Sequence, residues 1–92
     1  MIQSFRCKDT KKLAAGNQVK KFGSIEAQAR RKLYLLHLAK EVHDMKIPPG
    51  NRLEKLHGDR EGQWSIRIYD QWRLCFGWAD DGAIDVEIVD YH

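Results

Sequence analysis

The chain has 92 residues, 42% of them hydrophobic and 32% charged, the composition of one small globular domain (1–92) rather than of a disordered segment. No apolar run approaches the roughly 20 residues that span a bilayer, and the opening Met1–Arg6 lacks the apolar stretch of a secretory signal, so a cytoplasmic protein with no membrane partner is expected. A net charge of +3 and a pI near 9.0 make a polyanion such as nucleic acid a candidate partner, while Cys7 and Cys75 are too isolated for a disulfide framework.

Met1–Phe5 reads as a short opening strand, and Lys8–Ala15 as one or two helical turns ended by Gly16-Asn17. Five lysines between Lys8 and Lys21 stand against one acid, Asp9, and Asn17–Gly23 has little apolar periodicity, which predicts a basic, mobile connection within 8–23. Ser24 is a suitable cap for the main helix, with Glu26 at its positive end. Ile25, Ala29, Leu33, Leu36 and Ala39 follow helical spacing, and Leu35 and Leu38 broaden the apolar face. The helix should fade around 40–43, and Pro48-Pro49-Gly50 forbid its continuation. His37 and His43, six apart, fall on different faces, so no shared metal site and no cofactor are expected.

After Asn51 the apolar period changes to two. Trp64, Ile66 and Ile68, then Trp72, Leu74, Phe76 and Trp78, then Ile84, Val86 and Ile88 alternate with more polar neighbours. The expected fold is α+β: an antiparallel sheet with two N-terminal helices packed on one face and a more polar face opposite. The three tryptophans belong to the core in this reading, and Gly58 and Gly62 shape a loop.

A three-residue connection with Gly82 in the left-handed position would pair Trp78 with Ile84, Leu74 with Ile88 and Arg73 with Val89, leaving Tyr91 diagonal to Arg73. A two-residue loop at Asp70-Gln71 would oppose Tyr69 and Trp72 and mix the faces, so a three-residue loop is expected, which sets Arg67 opposite Arg73. Opposed like charges do not favour a sheet, and a bound anion would explain them. A preceding strand, Arg52–His57, would bring Glu54 within range of Ser65 and Arg67.

This set suits RNA cleavage, in which the 2′-hydroxyl attacks its own phosphate. A base must take the hydroxyl proton, cations must stabilise the phosphorane, and an acid must protonate the leaving 5′-oxygen. Glu54 is the candidate base and Arg73, assisted by Arg67, the phosphate clamp. His92, a side chain that titrates nearest neutrality, is the candidate acid, and Tyr91 would position a nucleotide or the phosphate.

The stretch Asn51–Arg67, the run Asp70-Gln-Trp-Arg-Leu-Cys-Phe76 and the ending Val86–His92 resemble HigB-type toxins of the RelE/ParE superfamily, with most likeness to their GraT branch. Met1–Phe5 and Pro48–Leu53 agree, so the resemblance covers nearly the whole chain. It implies a RelE-like fold and a toxin that cuts messenger RNA in the ribosomal A site, restrained by a cognate HigA-type helix-turn-helix antitoxin through which alone it would meet operator DNA. Carried over residue by residue, it makes Glu54 the base of YoeB-like relatives, Arg73 the phosphate-stabilising arginine and Arg67 a supporting one. His57 stands where many relatives have lysine, and Asp90, Tyr91 and His92 match the terminal motif, with Asp90 and His57 as further phosphate contacts. Lys11, Lys12, Lys20, Lys21, Arg30, Arg31 and Arg60 become candidates for contact with the RNA of the 70S ribosome. Two other readings remain open on the same scaffold: a gyrase poison resembling ParE, and a weakened toxin that only binds antitoxin and operator.

Overall fold

The change of apolar period after Asn51 divides the molecule into a helical layer and a sheet in the computed structural model, which describes residues 1–91. The expected acid His92 lies outside the described residues. Helices α1 (Lys8–Ala14) and α2 (Glu26–Leu38) pack on an antiparallel sheet of β1 (Glu54–Lys55), β2 (Gln63–Tyr69), β3 (Trp72–Ala79) and β4 (Gly82–Asp90), ordered β1-β2-β3-β4. The α+β architecture expected from the sequence is the one observed.

The stripe Ile25, Ala29, Leu33 and Leu36 is buried and belongs to one core with Ile66, Ile68, Leu74, Phe76, Val86 and Ile88 of the sheet. Each such large side chain contributes about 1.5–3 kcal/mol on leaving water. Leu38, placed on the apolar face by its spacing, is exposed. Asn51 is a buried polar residue that ties the segment after α2 back to that helix: its Nδ2 donates to the Met45 and Ile47 carbonyls at 3.0 and 3.3 Å, and its Oδ1 accepts from Lys32 Nζ. Burial, helped by the charge of Arg31, lowers the Lys32 pKa.

Ser24 is not the cap of α2. It lies inside a 3-10 helix, Lys20–Ile25, which runs directly into α2, so Ile25 holds the cap position without a side-chain hydrogen bond. The cause is Phe22, which is fully buried with its ring edge-on to Trp72 at 5.9 Å. One large core residue thus anchors the segment in which no apolar period is visible.

Residues 1–6 run parallel to β4, with Gln3 N–H donating to Ala83 O and Arg6 N–H to Val86 O, while Val86 N–H donates to Ser4 O. Gly82 is needed here for close approach, because a Cβ would collide with the Met1 carbonyl oxygen; its expected left-handed role is taken by Asp80 (φ 57°). The β3–β4 turn is accordingly two residues long, pairing Ala79 with Gly82, Trp78 with Ala83 and Gly77 with Ile84. A bulge with Asp85 at φ 51° then inserts one residue into β4 and restores the expected partners Leu74↔Ile88 and Arg73↔Val89. Ala83 therefore faces the core and Ile84 moves to the other face, over Gly77.

The β2–β3 connection is also a two-residue turn and does pair Tyr69 with Trp72. A shift at Ile68 absorbs the mismatch and leaves Arg67 opposite Arg73 as expected. Strand β1 is shorter than the expected Arg52–His57 because Arg52 takes a left-handed conformation, φ 49°. Among the described residues no helix is long and apolar enough to cross a membrane.

Candidate active site on the polar face of the sheet

Alternation along the strands sorts the face away from the helices into rows. One row holds Glu54, Ser65, Cys75 and Glu87, the next Arg67, Arg73 and Val89. Arg73 lies between them because Ser65 holds it. Its Nε donates to Ser65 Oγ at 2.9 Å, and its Nη2 donates to Arg52 O at 2.9 Å and Ser65 O at 3.5 Å. Ser65 is fully buried, and the left-handed turn at Arg52 is what aims that carbonyl at the guanidinium. A guanidinium fixed on one edge before a phosphate arrives has little reorganisation left to undergo.

Arg67 leans the other way, its Nε 3.4 Å from Asp70 O in the hairpin turn. The two opposed cations are thereby drawn apart, which relieves much of the repulsion that direct opposition implies. Glu54 is exposed and directly opposite Ser65, one strand from the Arg73 anchor; among the described residues no ion pair links it to Arg73.

Tyr91 crosses the same face. Its N–H donates to Gln71 O at 2.8 Å, and its hydroxyl lies 3.8 Å from Cys75 Sγ. Burial, reinforced by the Cys75 contact, raises the phenol pKa, so Tyr91 stays a neutral hydroxyl that can donate a hydrogen bond. Burial likewise pushes the Cys75 thiol up, the reverse of what a nucleophilic thiolate needs.

The remaining candidates are not gathered here. Asp90 is opposite Trp72, so alternation turns it to the other side of the sheet margin from Arg73. His57 is exposed and precedes the 3-10 turn Gly58–Arg60. Lys11 and Lys12 lie on α1, Lys20 and Lys21 on the 3-10 helix, and Arg30 and Arg31 on α2, all in the helical layer. Lys21 pairs with Asp9 at 3.3 Å and Arg30 with Glu26 at 3.7 Å; Arg30 also donates to Asn17 O. Arg60 alone of this group reaches the polar face. The residues that sequence reasoning left without a role are Ser65, the Arg52 carbonyl and Glu87. Ser65 was within reach, since the expected register already put it beside Glu54; the Arg52 turn leaves no pattern in the sequence.

Residues 3–92 match the HigB-like toxin family, described as RelE-like toxins of the type II toxin–antitoxin system HigB. The chain belongs to this family. Among curated HigB proteins, Toxin HigB-1 of Vibrio cholerae serotype O1 (strain ATCC 39315 / El Tor Inaba N16961) is 47% identical over 62 residues, 67% of this chain and 65% of that protein. Endoribonuclease HigB of Proteus vulgaris is 42% identical over 41 residues, 45% of each chain. The matched part spans less than two thirds of either HigB relative.

Proposed function

We propose that this HigB-family chain is a ribosome-dependent endoribonuclease that cleaves messenger RNA in the A site and so arrests translation and growth. The observation that carries the reading is Arg73, preset by Ser65 and the Arg52 carbonyl on a face shared with Glu54, Arg67 and Tyr91. The Proteus vulgaris relative, named an endoribonuclease, supports it. The reaction starts with Glu54 removing the 2′-hydroxyl proton. The alkoxide attacks the adjacent phosphorus, and the unbound edge of Arg73, with Arg67 beside it, stabilises the phosphorane charge. Tyr91 donates its hydroxyl to the nucleotide, and His92 protonates the departing 5′-oxygen, leaving a 2′,3′-cyclic phosphate. The basic helical layer, Lys11, Lys12, Lys20, Arg31 and their neighbours, grips ribosomal RNA with salt-sensitive affinity. A HigA-type helix-turn-helix antitoxin restrains the toxin in the cytoplasm.

Mapping the 5′ ends of transcripts after antitoxin-free induction tests this. In-frame cuts within translated messages, lost on Arg73→Ala and on deletion of His92, are expected. Intact messages with gyrase-dependent DNA damage would replace the reading with that of a gyrase poison. Intact messages and normal growth would leave only a binding protein.

A further inference from the structure

Arg60, one of the candidate ribosomal-RNA contacts, stands on a loop that folds back onto the sheet. The turn is bracketed by Gly58 at φ 68° and Gly62 at φ 90°, backbone conformations that favour glycine. Arg60 Nη1 donates to Gln63 Oε1 at 3.1 Å and pairs with Glu87 Oε1 at 3.2 Å, with only 27% and 24% of the two charged side chains exposed. Since Gln63 is on β2 and Glu87 on β4, the guanidinium reaches across the intervening β3. The residues beneath it are small: Ser65, Cys75 and Gly77.

Glu87 stands opposite Cys75, one face step, roughly 7 Å, along the strands from the Arg73 row. The Tyr91 hydroxyl rests over the same Cys75, and Tyr91 as a residue is 41% exposed. The face therefore offers, side by side, a phosphate clamp, an aromatic surface and a fixed donor–acceptor pair. Among the described residues Nη1 makes both Arg60 side-chain contacts, so the other guanidinium nitrogens and the second Glu87 oxygen keep hydrogen-bonding capacity there. Unpaired RNA bases are recognised by stacking on an aromatic ring and by hydrogen bonds to an edge that shows an acceptor beside a donor.

We infer that Arg60 and Glu87 form a nucleobase-reading pair, which binds the edge of a base stacked on Tyr91 while Arg73 holds the neighbouring scissile phosphate. The inference rests on the endoribonuclease reading above. Arg60 donates to the base acceptor and Glu87 accepts from its donor. Their order is fixed by the Gln63 anchor, so a base presenting the reverse order, or two acceptors, is bound less well.

The test maps cleavage ends on one ribosome-bound message library for wild type, Glu87→Gln and the charge-swapped double variant Arg60→Glu/Glu87→Arg, with thermal melts confirming the fold. Wild type is expected to show a base bias at one position beside the cut. Glu87→Gln should alter that bias by roughly five- to a hundredfold, the range of one good bidentate base contact, and the swap should not restore it. If the pair only anchors the loop, the swapped variant recovers both wild-type rate and wild-type bias, which overturns the inference. So does an unchanged bias in Glu87→Gln, which decides the matter alone if the swap fails to fold. Arg73-dependent cutting with unaltered bias sinks this inference and spares the enzyme; a wild type that cuts no message removes both.

Discussion

Ser65→Ala isolates the structural device on which the proposed chemistry depends. The substitution deletes one hydroxyl that accepts from Arg73 Nε at 2.9 Å, but keeps the backbone carbonyls of Ser65 and Arg52 that Nη2 contacts. A hydrogen bond to a charged group is worth about 1.5–3 kcal/mol, and the two remaining contacts retain part of the guanidinium's orientation. Loss of roughly 1–2 kcal/mol of transition-state stabilisation is expected, a slowing of about 5- to 30-fold. Stability should change little, because alanine also removes the cost of burying a hydroxyl, and a net loss of about 1 kcal/mol would lower Tm by only about 4–8 °C. The assay is single-turnover cleavage of a programmed ribosome's message, beside a thermal melt. Arg73→Ala should be slower still, and Ser65→Ala in that background should cost almost nothing more. An Arg73→Ala defect combined with a Ser65→Ala rate within twofold of wild type would refute the positioning argument, as would full additivity of the two.

Phe22→Ala removes a fully buried ring packed on Trp72, so denaturant titration should register a loss of about 3–5 kcal/mol; a loss under 1 kcal/mol would mean that Lys20–Ile25 is not anchored. Asn51→Ala leaves the Met45 and Ile47 carbonyls without their donor and should cost about 1–3 kcal/mol by the same titration. The thiol of Cys75, raised by burial, should resist alkylation at a mildly alkaline pH at which the more exposed Cys7 reacts, and labelling followed by peptide mapping distinguishes them. Backbone hydrogen bonds from Lys40 and Glu41 lower the Asp44 pKa. Its contribution is therefore present above the ordinary aspartate pKa and lost as pH falls through the lowered folded value, so the Tm gap between wild type and Asp44→Asn should close in acid.

The architecture was legible because two periods dominate the chain, 3.6 residues in Ile25–Leu36 and two in Trp64–Val89. The site was legible where register survives local irregularity. Arg67 faces Arg73 even though the loop that was expected to put it there is a two-residue turn, because the shift at Ile68 compensates. In the same way the bulge at Asp85 compensates for the tight turn at Asp80-Asp81. Bulges conceal themselves from alternation counts, since they move a side chain to the opposite face without changing residue types, as at Ala83 and Ile84. The Phe22 anchor and the left-handed Arg52 are set by tertiary packing and one backbone angle, and neither leaves a periodic trace. The Arg60–Glu87 pair joins positions 27 apart and depends on how the glycine-bracketed turn folds back. Asp90 matched the terminal motif in the sequence, but its pairing with Trp72 turns it from the arginines.

The central claim is that the face bearing Arg73, Glu54 and Tyr91 performs phosphodiester cleavage rather than binding alone. Its most direct test is the single-turnover rate on ribosome-bound message for wild type and Arg73→Ala, measured alongside ribosome affinity. The account predicts a rate about 10²–10³-fold lower at nearly unchanged affinity, with 2′,3′-cyclic phosphate ends from wild type. Equal rates for the two proteins, or ends bearing a free 3′-hydroxyl, would contradict it.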